Sequence, residues 1–441
     1  MDSVVITALD QEGRGVGRVG GKAMFVEGAL IGEEVAVELL RRKPNYDLAR
    51  ISELRVASAA RTTPPCPYFG VCGGCSLQHL EPAAQVAVKQ RVLEDALWHI
   101  GHLHADELLP PIHGCVWGYR HRARLSVRDV PKKGGVLVGF HEKKSSYVAD
   151  MTSCPVLPPR ISALLPALRA LVAALSIRDR LPQIELAVGE DAESPSGGPA
   201  DALVLRVLAP LSADDERALS AFADRHGVDL YLQPHGPASV RPLRAPVRRL
   251  CYTLPDFGVT IDFEPTDFTQ VNAGMNRLLV RRAIGLLDPE PGDTVADFFC
   301  GVGNFTLPIA RRGASVIGVD GSAALVRRAE ANAERNGLAQ RARFGVADLF
   351  AATRESVDAL GPLDKALLDP PREGAIELVK ALPEERLTRL VYVSCNPATL
   401  ARDAALLVHQ RGYTLAAAGV ANMFPHTAHV ESIALFVRGP C

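Results

Sequence analysis

Cys395 stands where two different sequence patterns meet. The run before it, 391–394, is β-branched and aromatic and predicts a buried strand. The residues after Pro397 predict a helix, and Pro397 disfavours a helical Asn396, so the turn between them is expected to be extended. Ligands bind beyond the carboxyl ends of the strands of an open parallel sheet, so a thiol at this point can meet a substrate. An inert, buried cysteine is the alternative, and this stretch alone does not distinguish the two.

A second set of residues predicts a cofactor site. The strand at 294–299 runs into Gly301-Val302-Gly303, and after a helix a second strand ends at Asp320. The glycines allow a ligand to approach the backbone, and a carboxylate at the second strand tip can bind a ribose diol. The third glycine that a dinucleotide pyrophosphate needs is missing, so S-adenosylmethionine, which has no phosphate, fits better. The alternative is a doubly wound domain whose crevice binds nothing.

Two more carboxylates follow later strands of the same predicted domain. Asp348 comes after a third short strand and could accept a hydrogen bond from an adenine amino group. Asp369 stands at a fourth strand tip, before the rigid pair Pro370-Pro371. Asp-Pro-Pro at such a tip resembles the catalytic loops of S-adenosylmethionine-dependent methyltransferases. The C-terminal part of the chain therefore predicts a Rossmann-like methyltransferase domain.

Four of the nine cysteines form a group. Cys66, Cys72 and Cys75 have the spacing Cys-x5-Cys-x2-Cys, and glycines between the last two let both thiolates point at one centre. Cys154 is the best candidate for a fourth ligand because, like Cys66, it precedes a proline. Without a secretory signal, a disulfide framework is not expected. Four thiolates fit either zinc or an iron–sulfur cluster, and the spacing alone slightly favours zinc.

The elements that must position these residues fall into three predicted domains of an α/β protein. Residues 1–60 contain short alternating runs separated by glycine-rich turns, which is typical of an OB-like β-barrel. Residues 61–262 are predicted to form a central mixed α/β domain that contains the four cysteines, and 263–441 the methyltransferase domain. The first segment resembles a TRAM domain, an RNA-binding module attached to RNA-modifying enzymes. The stretch 194–199 is predicted to be a loop.

Composition excludes several classes of protein. No apolar run is long enough to cross a bilayer and the N-terminal residues do not form a signal peptide, so we expect a cytoplasmic protein that does not act on a membrane. The formal net charge of −1 gives no sign of nucleic-acid binding. Basic residues are nevertheless clustered locally, although any one cluster could be solvated surface. The three clusters are Arg41, Arg42, Lys43 and Arg50; Arg120, Arg122, Arg124, Arg128, Lys132 and Lys133; and Arg241, Arg244, Arg248 and Arg249.

Five motifs, in order, resemble the RNA uracil-5-methyltransferase family. They are FTQVN at 268–272, DFFCGVGNFTLPIA at 297–310, DPPREG at 369–374, VSCNPATLARD at 393–403 and MFPHTAHVESIAL at 423–435. Together with the TRAM-like barrel and the four cysteines, they extend the resemblance over nearly the whole chain. The resemblance is greatest to the bacterial branch that acts on 23S ribosomal RNA and carries a 4Fe-4S cluster. One difference is that the family's usual glutamate at the second strand tip is Asp320 here.

The resemblance implies a role for each candidate residue. Cys395 falls on the position of the family's nucleophile and Glu431 on that of its base. The positions of the cofactor pocket fall on Gln270, Phe299, Asn304, Asp320 and Asp369. Asp348 is a weaker addition that comes from the strand pattern. The ligands of the 4Fe-4S cluster fall on Cys66, Cys72, Cys75 and Cys154. This raises iron–sulfur above zinc, and the cluster is expected to be structural or to position RNA, because methyl transfer moves no net electrons.

The chemistry explains why a thiol and a carboxylate are both needed. Uracil C5 is a poor nucleophile, but addition of a thiolate to C6 gives an enolate with charge at C5. C5 then takes the methyl group of S-adenosylmethionine, and a base removes the C5 proton so that the thiolate can leave. The uracil must leave its stack to reach the thiol. A plain surface carboxylate is the alternative for Glu431, and the motif around it makes that alternative the weaker one.

Three other functions stay open at this point. Transfer RNA is the alternative substrate. A catalytically inactive RNA-binding relative is another alternative, which the presence of both Cys395 and Glu431 opposes. A DNA cytosine-5-methyltransferase uses the same thiolate chemistry but has Pro-Cys before the turn, where this chain has Ser394-Cys395. We expect the substrate to be 23S ribosomal RNA and the enzyme to be a monomer with no obligate protein partner.

Overall fold

The computed structural model describes residues 3–193 and 198–439, which form three β-sheets and the helices packed on them. The sheets contain six, eight and eight strands and follow one another along the chain, apart from the short strand β7. Most of the predicted loop at 194–199 lies outside the described residues.

The N-terminal sheet is closed into a barrel. Its strands are β1 Ser3–Val5, β2 Ala8–Leu9, β3 Gly15–Val19, β4 Lys22–Glu27, β5 Glu34–Arg42 and β6 Tyr46–Val56. The order β1-β5-β6-β4-β3-β2 places β1 and β2 at opposite edges, yet only Ile6 and Thr7 separate them along the chain. One continuous stretch therefore pairs with both β5 and β3. Buried side chains such as Val4, Val26 and Val35 fill the interior, and the predicted OB-like barrel is confirmed.

The segment after the cysteine loop packs on the C-terminal sheet rather than on the central one. Its elements are α1 Pro82–Ala96, a π-helical turn Leu97–Gly101 and β7 Glu107–Leu108. Leu93 and Leu97 are buried in the core of the C-terminal sheet, and β7 extends the edge of that sheet. The predicted 61–262 domain thus contributes its first helix to the next domain, and the domain boundaries stay a prediction.

The central sheet is mixed. Its strands are β8 Arg122–Val130, β9 Gly135–Gly139, β10 Gln183–Asp191, β11 Pro199–Arg206, β12 Asp229–Gln233, β13 Arg241–Pro242, β14 Leu250–Leu254 and β15 Val259–Asp262. The helices are α2 Pro159–Ser162, α3 Leu165–Ala174 and α4 Ala213–His226. Helix α4 begins at a capping box, in which Ser212 accepts from the Asp215 N–H, and it ends at Gly227, whose φ of 62° suits glycine. Helices α3 and α4 share one core with the sheet.

The C-terminal sheet is doubly wound. Its strands are β16 Thr294–Phe298, β17 Ser315–Asp320, β18 Ala342–Val346, β19 Lys365–Leu368, β20 Arg389–Ser394, β21 Thr414–Ala421 and β22 Glu431–Val437. The helices are α5 Ala273–Leu287, α6 Thr306–Arg311, α7 Ala323–Arg335, α8 Arg354–Asp358, α9 Ile376–Ala381 and α10 Pro397–His409. The order is β18-β17-β16-β19-β20-β22-β21-β7, and the first five strands are parallel. This confirms the predicted Rossmann-like domain.

The parallel strands bring the predicted site residues to one edge of this sheet. Phe299 follows β16, Asp320 ends β17, Asp369 follows β19 and Cys395 follows β20. The carboxyl ends of parallel strands share an edge, so these four side chains lie where open α/β sheets bind their ligands. Strand β22 runs the opposite way between β20 and β21, so its first residue, Glu431, reaches the same edge.

Candidate active site

The pairing of β20 with β22 brings Cys395 and Glu431 close together. Ser394 and Ser432 are directly opposed in this antiparallel ladder. One step further in the same register, Cys395 follows Ser394 and Glu431 precedes Ser432. Directly opposed residues have Cβ atoms about 4.5–5.5 Å apart. The ladder ends at the pair of serines, and the thiol and the carboxyl group lie next to that end, close enough for the charge of Glu431 to raise the pKa of Cys395.

The turn that carries Cys395 is attached to the Asp-Pro-Pro loop. Asn396 has φ −141° and ψ 102°, which confirms the predicted extended turn, and its Oδ1 accepts from the Ala398 N–H at 3.1 Å to begin α10. Its Nδ2 donates to the carbonyl of Arg372 at 3.0 Å. The Thr399 hydroxyl donates to the same carbonyl at 3.2 Å. The loops after β19 and β20 are therefore held together as one unit.

The acidic groups at this edge are buried close to one another. Burial raises the pKa of Cys395 to about 11, and the charges of Glu431 and Asp369 add to this. Glu431 is only 3% exposed, and burial, followed by the charge of Asp369, raises its pKa well above the usual range. Burial also raises the pKa of Asp369 to about 7. Protons are therefore held in this cluster at a higher pH than exposed carboxyl groups would hold them.

Arg372 was not singled out in the sequence, although it lies within the family motif at 369–374, whereas His429 is the alternative candidate for the base. The Arg372 Nη2 donates to His429 Nδ1 at 3.0 Å. The Arg372 charge opposes the raised pKa of Cys395. Burial and then Arg372 lower the pKa of His429, which favours the neutral imidazole that can accept this hydrogen bond. A guanidinium in the Asp-Pro-Pro loop thus favours the thiolate form of Cys395.

The glycine turn after β16 is held against the tip of β17. Phe299 has a left-handed φ of 65°, which is uncommon for a bulky residue, and its N–H donates to Val319 at 2.8 Å. The two oxygens of Asp320 accept from the N–H groups of Gly301 at 3.0 Å and Ser322 at 2.8 Å. The Phe299 ring lies 5.7 Å from that of Phe350. Phe299 and Asp320 therefore border the same crevice.

Asp348 lies at the far end of this crevice. Its Oδ1 accepts from the Phe350 N–H at 3.0 Å, so it caps the short helical turn that follows. Strand β18, which leads to Asp348, is separated from β19, which leads to Asp369, by β17 and β16. Four of the six predicted cofactor residues therefore lie at or just beyond the tips of four adjacent strands: Phe299, Asp320, Asp348 and Asp369.

Gln270 and Asn304 lie on the side of the crevice that faces the central sheet. Asn304 and Asn276 exchange two amide hydrogen bonds, of 2.9 and 3.0 Å, and the Tyr252 hydroxyl donates to Asn304 at 3.0 Å. Gln270, Tyr252 and Asn276 line a cavity of about 330 Å³ between the central sheet and α5. Asn276 thus forms hydrogen bonds with Asn304 and lines the same cavity as Gln270. Its place at the start of α5 gave no signal in the sequence.

Asp297 is a further buried acid that the sequence analysis passed over. Burial raises its pKa to about 7, and the charges of Asp369 and Asp320 contribute. The Thr306 hydroxyl donates to its Oδ2, whereas its Oδ1 has no hydrogen-bond partner among the described residues. The signal in the sequence that could have identified Asp297 was its position near the end of β16, shortly before the glycine turn.

The four predicted metal ligands surround one pocket outside the catalytic edge. Cys66, Cys72, Cys75 and Cys154 line this pocket together with Tyr68, Phe69, Phe140 and Met151. The Tyr68 hydroxyl accepts from the Thr152 N–H at 3.0 Å and so joins the cysteine loop to the segment that carries Cys154. Cys154, although distant along the chain, thus lies with the other three cysteines around one pocket.

The chemistry of the cysteine pocket suits a sulfur-ligated group, although its geometry does not single one out. Burial raises the pKa of Cys75 to about 12 and that of Cys154 to about 11, and neighbouring thiols add to both shifts. In residues 3–193 and 198–439, no group of three or more His, Cys, Asp or Glu side chains is arranged as the ligands of a single metal ion. Which group binds here stays a prediction.

None of the helices in the described part of the chain has the length and apolar character needed to span a bilayer.

Comparison with known proteins agrees with this architecture. Residues 258–438 match the tRNA (Uracil-5-)-methyltransferase family model, and residues 3–51 match the TRAM domain. The chain is 60% identical to the 23S rRNA (uracil(1939)-C(5))-methyltransferase RlmD of Aromatoleum aromaticum, over 99% of this chain and 100% of that protein. It is 58% identical to the protein of the same name from Dechloromonas aromatica, over 98% of each.

A solved structure is similar over the same extent. The tRNA (uracil-54, C5)-methyltransferase of Pyrococcus abyssi, in complex with S-adenosyl-L-homocysteine, aligns over 99% of each chain with a TM-score of 0.74 and 25% sequence identity. The strand order, the pairing of β20 with β22 and these full-length relatives agree, and the chain belongs to the family of RNA uracil-5-methyltransferases.

Proposed function

We propose that this RNA uracil-5-methyltransferase methylates C5 of a uridine in 23S ribosomal RNA, with Cys395 as nucleophile and Glu431 as general base. The observation that carries the proposal is the antiparallel pairing of β20 with β22, which brings these two residues close together next to the last paired residues, Ser394 and Ser432. One is the thiol that must add to the base, and the other is the carboxylate that must take a proton from the adjacent carbon. Full-length relatives at 60% identity that act on 23S rRNA support the choice of RNA.

In the first step, the Cys395 thiolate adds to C6 of a uracil that has left its stack. The new S–C6 bond pushes the electron pair of the C5–C6 double bond onto C5 and O4 as an enolate. Burial opposes formation of the thiolate, and the positive charge of Arg372 offsets part of that cost. S-adenosylmethionine, when bound, supplies the methyl group that C5 then accepts.

In the last step, Glu431 accepts the remaining proton from C5. The C–H electron pair re-forms the double bond, and the S–C6 bond breaks and returns the thiolate to Cys395. A carboxylate whose pKa is raised by burial is a stronger base than an exposed one, so the buried position of Glu431 suits this task. After product release, Glu431 passes its proton to solvent. Both residues are then in their starting protonation states.

The crevice at the strand tips would hold the methyl donor. We assign Gln270, Phe299, Asn304, Asp320, Asp348 and Asp369 to this pocket. The Phe299 ring would flank the adenosine, and Asp320, at the tip of the second strand, would lie near the ribose. Asp369 follows the strand adjacent to that of Cys395, so it would lie between donor and uracil. The similarity to an enzyme solved with S-adenosyl-L-homocysteine supports a donor in this crevice.

The cysteine pocket would hold a 4Fe-4S cluster on Cys66, Cys72, Cys75 and Cys154. Four thiols around a pocket lined by aromatic side chains and methionine suit sulfur ligation in a site from which water is excluded. Each of the four cysteines would supply one thiolate ligand to the cluster. Its place outside the catalytic edge favours a structural or RNA-positioning role.

The remaining assignments follow from the arrangement of the domains. The TRAM barrel would bind RNA next to the central domain, to which Lys143 and Lys144 attach it through Glu27. We further propose the domain boundaries 1–60, 61–262 and 263–441, a cytoplasmic location and a monomer without an obligate protein partner. A monomer would elute at the mass of one chain in size-exclusion chromatography with light scattering.

The substrate is tested by mapping 5-methyluridine in RNA from a deletion strain by mass spectrometry. We expect one modified position to be lost from 23S ribosomal RNA, to return with the wild-type gene and not to return with the Cys395→Ser variant. Transfer RNA from the same cells is the internal control and should be unchanged. Loss of the modification from transfer RNA alone would replace the proposed substrate with the alternative one.

A further inference from the structure

The loop 422–430 joins β21 to β22 and ends directly before Glu431. Several of its residues form hydrogen bonds with segments that are distant in the sequence. We propose that Gln85 and Lys89, both on α1, are positioning residues that hold this loop and with it Glu431. The inference rests on the proposed role of Glu431 as base. It concerns a helix that lies far away in the sequence and carries none of the family motifs.

Lys89 supplies the first support of the loop. It is only 1% exposed, although lysine is rarely buried without partners. Its Nζ donates to Asn422 Oδ1 and to the carbonyl of Phe424, both at 2.8 Å. Both acceptors belong to the loop. Because a buried amine without hydrogen-bond partners is strongly unfavourable, Lys89 and the start of the loop are expected to keep each other in place.

Gln85, one helical turn earlier on α1, supplies the second support. Its Oε1 accepts from the His426 N–H at 2.8 Å, and its Nε2 lies 3.1 Å from His426 Nδ1. The same Nε2 donates to the carbonyls of Leu77 and Leu80, at 3.0 and 2.7 Å, which fixes the amide orientation. Gln85 therefore contacts both the backbone and the ring of one loop residue.

His426 is a residue that needs such support. Its φ of 64° is left-handed, a conformation that is unfavourable for a residue other than glycine. Its ring stacks on Trp117 at 3.9 Å, and its carbonyl accepts from the N–H groups of Ser76 and Leu77, both at 2.9 Å. Between His426 and the Lys89 contacts, the Tyr119 hydroxyl donates to the carbonyl of Pro425 at 2.9 Å. Three successive parts of the loop are thus held from outside.

The two reacting residues depend on different supports. The Cys395 turn is attached to the Asp-Pro-Pro loop through Asn396 and Thr399. Glu431 instead follows the supported loop directly. A displacement of about 1 Å in a reacting group can cost about 10²-fold in rate. Weakening the supports from α1 should therefore slow proton removal by Glu431 and leave the addition of Cys395 nearly unchanged.

The test follows the covalent protein–RNA adduct in single turnovers with methyl-labelled S-adenosylmethionine and a 23S RNA fragment. The variants are Gln85→Met, Lys89→Met and Tyr119→Phe. We expect release of the methylated adduct to slow by about 10-fold or more in the first two and by a few-fold in Tyr119→Phe, with adduct formation changed by less than about 3-fold. The matched control is Gln90→Met, which removes a hydrogen bond to Glu94 on the same helix without touching the loop.

Two results would overturn the inference. The first is that adduct formation and adduct release slow equally, because this is the result expected if α1 only stabilises the fold. The second is that Lys89→Met and Tyr119→Phe release the adduct at the wild-type rate. If the larger changes prevent folding, Tyr119→Phe decides, because it removes a single oxygen atom. Glu431→Gln is run beside them: failure of that variant to trap the adduct would overturn the proposed base, independently of the role of α1.

Discussion

The catalytic edge and the cysteine pocket both depend on thiols, but they are built in different ways. At the catalytic edge, regular pairing of β20 with β22 brings the strand ends next to Cys395 and Glu431 together. In the cysteine pocket, loops bring Cys66, Cys72 and Cys75 together with Cys154, and individual hydrogen bonds such as that from the Cys72 N–H to Tyr68, at 2.9 Å, hold the backbone.

The difference indicates what each group of side chains contributes. A strand ladder keeps its geometry when a side chain at its end is changed, because backbone hydrogen bonds hold it. Loops that converge on a common centre rely on their side chains, and on any group bound between them, for that geometry. Substitution at the catalytic edge should therefore change activity more than stability, and substitution in the cysteine pocket should do the reverse.

The largest effect on activity is expected for Cys395→Ser. A hydroxyl is far less ionised than a thiol near neutral pH, so methyl transfer and the covalent RNA adduct should both be lost, with a rate decrease of about 10⁴-fold or more. The melting temperature should change by no more than about 2 °C. Activity assays and thermal melting measure both, and Cys115→Ser, at an exposed cysteine, is the matched control. Full activity of Cys395→Ser would remove this residue from its proposed role.

Glu431→Gln should reduce multiple turnover by about 10²–10⁴-fold, the usual contribution of a general base. The amide keeps the shape of the side chain but cannot accept the C5 proton. One methyl group should still be transferred, after which the enzyme should stall as a covalent complex with methylated RNA. On a denaturing gel, labelled methyl should migrate with the protein. Normal turnover without a trapped adduct would require another base, for which the neighbouring His429 is the first candidate.

Cys154→Ser should test the other side of the comparison. We expect wild-type protein purified without oxygen to be brown and to hold about four irons per chain, and the variant to lose most of its iron and several degrees of melting temperature. Cys395→Ser should keep its iron, which separates the two regions. Iron analysis and absorption spectra provide the measurement. Stoichiometric zinc without iron in the anaerobic wild type would favour the other sulfur-ligated metal.

The smallest effect is expected from Arg372→Met. The Arg372 charge favours the Cys395 thiolate, so its removal should raise the pKa of Cys395 further. Alkylation requires the thiolate, so the pH midpoint of Cys395 alkylation by iodoacetamide should move upward, by about 0.5–1 unit. Peptide mass spectrometry follows this cysteine separately from the others. Arg386→Met, at an exposed arginine paired with Asp364, should leave the midpoint in place, and a downward shift in Arg372→Met would contradict the assigned effect.

Much of the catalytic edge could be predicted because its signals are local. The strand before Cys395, the extended Asn396 and the left-handed glycines of the turn after β16 follow from residue types within a few positions. The supports of the Glu431 loop could not be predicted in this way. Lys89 and Gln85 are polar residues in a helix, and the usual expectation for such residues is exposure to solvent.

The chemistry available to this protein could be predicted from the sequence: a thiol at a strand tip, a carboxylate in a family motif, a glycine turn followed by an acid, and four grouped cysteines. These depend on residue identity and short spacing. The folded structure was needed to see that β22 lies antiparallel between β20 and β21, which brings Glu431 close to Cys395, and that α1 contacts the loop before Glu431. Strand order, register and the contacts of a helix face depend on pairing between distant segments, which local spacing does not encode.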